Sequence, residues 1–175
     1  MPFNQFKNIS LNIENYDQVE LVNYISLSDE QALDVLHMRN HPEVRRWMHN
    51  AREITKSEHF EFIDNLRSSE DKLYFLVLFK GQQVGVINLT GIDLKALTCE
   101  LGLFANLNAG MEAKGKLLMS SILCFAEEKL KLERLTLEVF LSNCRAIKLY
   151  EKFGFVSDRQ VFKNGLDVIC MSLDL

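Results

Sequence analysis

The chain has 175 residues, 47% of them hydrophobic, which suffices for one domain with a substantial core and leaves little for a second. Twenty Lys and Arg against 24 Asp and Glu give a formal charge of -4, and like charges never cluster into a run, so nothing suggests a nucleic-acid partner or an acidic disordered tail. The opening MPFNQFKNIS lacks a signal-peptide pattern and no long apolar run comes after it, so the expectation is a soluble, cytoplasmic protein with no membrane partner.

The Asn-rich residues 1–16 read as an extension or an added edge strand, ahead of a domain over residues 17–175. Val19 to Leu27 is rich in branched residues and predicts a strand. Ser28 and Gln31 then form a capping-box pattern, and the helix they open should stop near His41, because Pro42 disfavours helical geometry in the residue before it. Thr55 and Glu58 form a second box, opening a helix with Phe60, Ile63 and Leu66 or Arg67 on one face. Leu73–Lys80 and Gln83–Ile92 flank Gly81-Gln82, a pair suited to a type II′ hairpin turn.

A strand over Thr98–Ala105 leads into AGMEAKGKLL and then into a long helical periodicity. Leu132–Phe140 predicts a further strand and Asn143–Lys152 a helix. Two last strands meet at Asn164-Gly165, a strong hairpin signal. This order fits a mixed sheet with helices on its faces, with a parallel crossover across residues 98–140. The four cysteines, Cys99, Cys124, Cys144 and Cys170, form no CxxC pair and sit among apolar neighbours, so they are expected to be reduced core residues. His37 and His41 have a metal-like i, i+4 spacing, but Pro42 ends the helix and no third ligand joins them, so no metal is expected.

A loop that leaves a strand and opens a helix presents unpaired N–H groups to an anion. Gly110, Gly115 and Lys116 have the spacing of a triphosphate loop, yet Leu117 stands where a magnesium-binding hydroxyl is needed. Hydrolysis of a nucleoside triphosphate is therefore rejected. The segment LEVFLSNCRAIKLYEKFGF, residues 137–155, carries more information than the loop: its run of Asn143, Ala146, Leu149, Tyr150, Glu151, Gly154 and Phe155 resembles the GNAT acyltransferases.

The resemblance spans about residues 17–174 and implies an α/β fold: a mixed, mostly antiparallel sheet of six to seven strands, helices on both faces, and a parallel pair splayed at the acetyl-CoA site. It implies that Gly110, Met111, Glu112, Ala113, Lys114, Gly115 and Lys116 hold the cofactor's pyrophosphate. Gly110 stands where the family has Gln or Arg, and Ala113 where it has Gly. Leu103, Phe104 and Ala105 would pair with pantetheine like an added strand, with Asn143, Ala146 and Tyr150 also at the cofactor.

By the same resemblance Tyr150 gives a proton to the departing sulfur, which its ordinary pKa of about 10, against about 8.5 for a thiol, permits. Glu138, twelve residues earlier in an apolar strand, is expected to be the general base, with Glu100 on the neighbouring strand as its rival. RNHPEVRRWM, Arg39 to Met48, followed by HFEFIDNL and LYFLV, resembles the GNAT subgroup that N-acetylates a UDP-linked 4-amino-4,6-dideoxy sugar in pseudaminic acid biosynthesis, the route to flagellin glycans. That implies substrate contacts from Arg39, Asn40, Trp47, His59 and Thr90. Two alternatives stay open, an acetyltransferase of protein or peptide α-amines resembling the ribosomal-protein enzymes and a non-catalytic acyl-CoA-binding domain; a homodimer is compatible with each.

Overall fold

Runs with side chains alternating in period two build eight strands among the described residues of the computed structural model, which are 3, 5–16 and 18–175. They are β1 (Asn8–Asn12), β2 (Gln18–Asn23), β3 (Leu73–Phe79), β4 (Gln82–Asp93), β5 (Thr98–Ala105), β6 (Arg134–Phe140), β7 (Val156–Lys163) and β8 (Leu166–Asp174). All join one sheet in the order β1-β2-β3-β4-β5-β6-β8-β7. Among the described residues only β5 and β6 pair in parallel. The helices are α1 (Asp29–Asn40), α2 (Pro42–Arg45), α3 (Lys56–Leu66), α4 (Lys114–Phe125) and α5 (Cys144–Lys152).

The period of two divides the core between the faces. Phe75, Val77, Ile87, Leu89, Leu101, Leu135 and Leu137 pack with Leu117, Leu118, Ile122 and Phe125 of α4, whereas Leu76 and Val86 pack with Val35 and Met38 of α1 and Ile63 and Leu66 of α3. One face therefore carries α4 and α5, and the other α1 and α3. A single fully buried Leu or Phe on such a sheet contributes roughly 1.5–3 kcal/mol.

The parallel ladder is short, and this positions the site. It holds Thr98 to Arg134, Cys99 to Leu135 and Glu100 to Thr136, and then ends. Beyond it β5 stays paired with β4 as far as Ala105, and β6 with β8 as far as Phe140. Two ordered strands thus part in a fork, each with one backbone edge unpaired among the described residues.

Several expectations are corrected. The sheet has eight strands rather than six or seven, because Asn8–Asn12 pairs with β2 at the edge. The expected boundary at residues 16 and 17 meets Asp17, outside the described residues. The segment from Val19 is a strand only to Asn23; the Asn23 side chain then accepts from the Ile25 N–H and starts a short 3₁₀ turn over Tyr24–Ser26. The β3–β4 turn is centred on Lys80-Gly81, not Gly81-Gln82. With φ of 49° and 75° it is type I′, whose twist matches that of the flanking strands. Asn164-Gly165, with φ of 50° and 81°, makes the same turn between β7 and β8. Both capping boxes form. All four cysteines are free, but Cys144 is exposed on the first turn of α5, not in the core.

Candidate active site

The fork defines the site. Glu138 lies on β6 two residues past the last rung and opposite Cys170 on β8, so it shares a face with Thr136 and with Glu100 of β5. The Thr136 hydroxyl donates to the Cys99 carbonyl at 3.2 Å, bracing the crotch of the fork. Thr90 of β4 pairs with Glu100, its Oγ1 3.5 Å from the Glu100 carbonyl oxygen, and so stands at the same place.

Glu138 is not the isolated carboxylate that its apolar strand suggests. Its Oε1 accepts from the ammonium of Lys163 at the end of β7, and its Oε2 lies 3.3 Å from Nε2 of His49. The Glu138 side chain is 17% exposed, against 48% and 51% for Lys163 and His49, so both partners reach inward from the rim. The His49 ring stands edge-on to Phe140, the last residue of β6, with centroids 5.4 Å apart. Glu100 has no hydrogen bond to its carboxylate among the described residues. Although the residue is exposed at the rim, partial desolvation of its carboxyl and the nearby Glu138 push its pKa up, while Lys163 and His49 pull it back.

Tyr150 approaches from the other side of the sheet. It is buried in the core that also holds Leu137 and Val139, beside Phe155 at a centroid distance of 6.1 Å. Burial alone pushes its pKa up to about 12. A carboxylate pair and a protonated phenol thus flank β6 on opposite faces, across the edge that the fork exposes.

The phosphate-loop residues sit where the first turn of α4 begins. Ala113, the N-cap, adopts the left-handed region at φ 55°, ψ 25° and makes no side-chain cap; the Lys116 N–H donates to the Ala113 carbonyl at 2.9 Å, and those of Lys114 and Gly115 have no partner among the described residues. The Lys114 ammonium donates to the Ala109 carbonyl at 2.8 Å and closes the loop on itself. A Cβ on Gly115 would stand 3.0 Å from Leu149 Cδ2, so this position lets α4 approach α5. Met111 packs against the core, whereas Gly110, Glu112 and Lys116 are exposed. Leu103, Phe104 and Ala105 pair with Ile87, Val86 and Gly85 on one side and turn their other backbone edge to the fork. Gly85 makes this possible: a Cβ there would collide with the Phe104 carbonyl oxygen. Asn143 caps α5, its Oδ1 accepting from the Ala146 N–H at 3.3 Å.

Of the expected substrate contacts, three have other work. Arg39 donates to the carbonyls of Asn50 and Arg52, both at 2.5 Å, rather than offering both terminal nitrogens to a diphosphate. Asn40 grips the Ile54 backbone from both sides, donating to its carbonyl at 2.8 Å and accepting its N–H at 2.9 Å. His59 is buried between α1 and α3, with Nε2 2.9 Å from the Ala32 carbonyl and its pKa lowered by that burial. Trp47 is half-buried with the Arg46 guanidinium over its ring at 4.6 Å. His49 and Lys163 were not anticipated, because their contacts with Glu138 join distant parts of the chain and leave no spacing to detect. Among the described residues no three His, Cys, Asp or Glu side chains are grouped to hold a metal, and no helix is long and apolar enough to cross a membrane.

A sheet forked beside a helix N-terminus, with residues 21–156 matching the Acetyltransferase (GNAT) domain, places this chain in that family. It is an N-acetyltransferase of the GNAT fold. The chain is 34% identical over 137 residues to acetyltransferase PseH of Campylobacter jejuni serotype O:23/36, a match covering 78% of this chain and 84% of that protein. The PseH of serotype O:2 is 35% identical over the same shares. The crystal structure of C. jejuni N-acetyltransferase PseH in complex with acetyl coenzyme A superposes with a TM-score of 0.73 at 29% identity, covering 89% of this chain and 98% of that one. Spermidine N-acetyltransferase from Vibrio cholerae, in complex with CoA and spermine, gives a TM-score of 0.79 at only 19% identity over 89% and 95% of the two chains, a likeness of fold alone.

Proposed function

We propose that the chain transfers the acetyl group of acetyl-CoA to the 4-amino group of a UDP-linked 4-amino-4,6-dideoxy sugar, the acetylation step of pseudaminic acid biosynthesis. The observation that carries the chemistry is the fork, with Glu138 and Glu100 on one face and Tyr150 on the other. The likeness to PseH at 34–35% identity supports the sugar acceptor over a polyamine.

Acetyl-CoA supplies a thioester, whose carbonyl carbon is the electrophile. The free edge of Leu103–Ala105 offers backbone groups to the pantetheine amides, and the N–H groups from Met111 to Gly115 are offered to its pyrophosphate. Lys116 adds positive charge beside Glu112, and Asn143 and Ala146 border the cofactor at the N-terminus of α5. One carboxylate of the Glu138 and Glu100 pair takes a proton from the incoming amine. Tyr150 stays protonated through the neutral range and gives its proton to the departing thiolate. Thr90 stands beside the acceptor amine, while Arg39 and Asn40 hold the segment that carries Trp47 and His49 over it. His59 ties α3 to α1 through the Ala32 carbonyl, away from the amine.

Thiol release from acetyl-CoA, measured with a panel of UDP-4-amino sugars, free polyamines and N-terminal peptides, tests this reading. The expected result is a kcat/KM for a UDP-4-amino-4,6-dideoxy sugar at least tenfold above the other classes. A preference for peptides or polyamines would overturn the acceptor, and no binding of acetyl-CoA in calorimetry at high micromolar concentration would overturn the reaction itself.

A further inference from the structure

A proton acceptor must present a lone pair along the amine's approach, and the two carboxylates at the fork differ in this respect. Glu138 has both oxygens engaged: Oε1 by the Lys163 ammonium, with Cys170 Sγ 4.0 Å away, and Oε2 by His49 at 3.3 Å. Glu100, at the last rung of the ladder, has no such partner among the described residues. We propose that Lys163, assisted by His49, is a positioning residue that withdraws Glu138 from proton transfer and leaves Glu100 as the group that deprotonates the amine. This rests on the acetyl-transfer reading above.

The fold delivers both partners to Glu138. Lys163 is the last residue of β7, paired with Leu166 across the Asn164-Gly165 turn, so the turn sets how far its side chain reaches over β8 toward β6. His49 comes after Trp47 and Met48 in the segment beyond α2, which Arg39 ties at Asn50 and Arg52 and Asn40 ties at Ile54. The groups that act on Glu100 are Glu138 from β6, Lys163 from β7 and His49 from the tied segment, with Tyr74 of β3 and the Cys99 thiol also within its field.

The step balances. The acceptor arrives as an ammonium and gives one proton to Glu100. Its nitrogen lone pair forms the C–N bond, and the C–S pair leaves on sulfur, which takes the Tyr150 proton. The second amine proton, lost as the adduct collapses, restores Tyr150, and Glu100 returns its own to solvent.

The pH dependence has a sign that a structural role cannot mimic. Glu138 raises the Glu100 pKa and Lys163 lowers it, so removing each moves it in opposite directions. The acidic limb of kcat/KM should move about one pH unit higher in Lys163→Met, lower in Glu138→Gln, stay in place in Lys163→Arg, and disappear in Glu100→Gln. A limb that survives Glu100→Gln and is lost in Glu138→Gln would overturn the assignment. Carbon-13 NMR titration of the Glu100 carboxyl in the substrate-free protein should show the same opposed displacements. Their absence would overturn the positioning role whatever the acceptor proves to be, whereas failure to release thiol with any amine would count against the acetyl-transfer reading alone.

Discussion

Tyr150 and Ala113 show how single residues set the chemistry and its limits. Burial pushes the Tyr150 phenol up to a pKa of about 12, so across the neutral range it rests protonated and becomes a phenolate only between giving its proton to sulfur and regaining one from the amine. Tyr150→Phe is therefore expected to lower kcat at least ~10-fold, within the usual range for a lost general acid. An unchanged kcat in a folded variant would remove it from the mechanism. Ala113 occupies the left-handed region, where a Cβ costs roughly 1–2 kcal/mol and glycine none. Ala113→Gly should raise the melting temperature by a few degrees, offset in part by the flexibility glycine adds to the unfolded chain. A lower melting temperature would show that the loop has absorbed the strain. The alanine at this position was legible in the sequence as a departure from the family's loop; that it still adopts the glycine-like conformation was not, because backbone torsion depends on how α4 packs.

At the scale of elements, local chemistry was well encoded. The boxes Ser28 with Gln31 and Thr55 with Glu58, and the Asn164-Gly165 turn, depend on neighbours within three residues and form as expected. Glu58 also shows what sequence hid. The Arg52 guanidinium first, then the Thr55 N–H and hydroxyl, hold its carboxyl down at about 2. A depressed pKa stabilises above the ordinary value and is lost as pH falls through the folded one. Glu58→Gln should therefore melt lower than the parent at pH 7, with the gap closing between about pH 4.5 and 2; a gap that persists at pH 2 would assign the effect to the cap geometry instead. The backbone contacts of Arg39 and Asn40 were not legible because both reach atoms more than ten residues away, for which no sequence pattern exists. Asn40→Ala frees two backbone groups of Ile54, a cost of about 1–3 kcal/mol. It should raise the acceptor KM through a displaced His49 while leaving the acetyl-CoA KM within about twofold, a magnitude small beside the tenfold that 1.4 kcal/mol represents. Equal changes in both KM values would instead point to a general loss of structure.

The whole molecule is a sheet divided at one place. The order of elements and the parallel pair were readable from hydrophobic period and connection length, since a parallel neighbour needs a crossover helix and α4 supplies it. The length of the ladder was not readable: nothing in the residues after Glu100 and Thr136 says that β5 keeps β4 and β6 keeps β8 while the two lose each other. That separation turns a helix-covered sheet into a slot, and it brings together groups from β5, β6, β7, α5 and the segment after α2. Hydrogen exchange of backbone amides, with and without acetyl-CoA, tests this most directly. Acetyl-CoA is expected to slow exchange at Leu103–Ala105 and at Met111–Lys116, with little change at β2 and β3. Protection absent from those two segments, or confined to the α1 and α3 face, would contradict it.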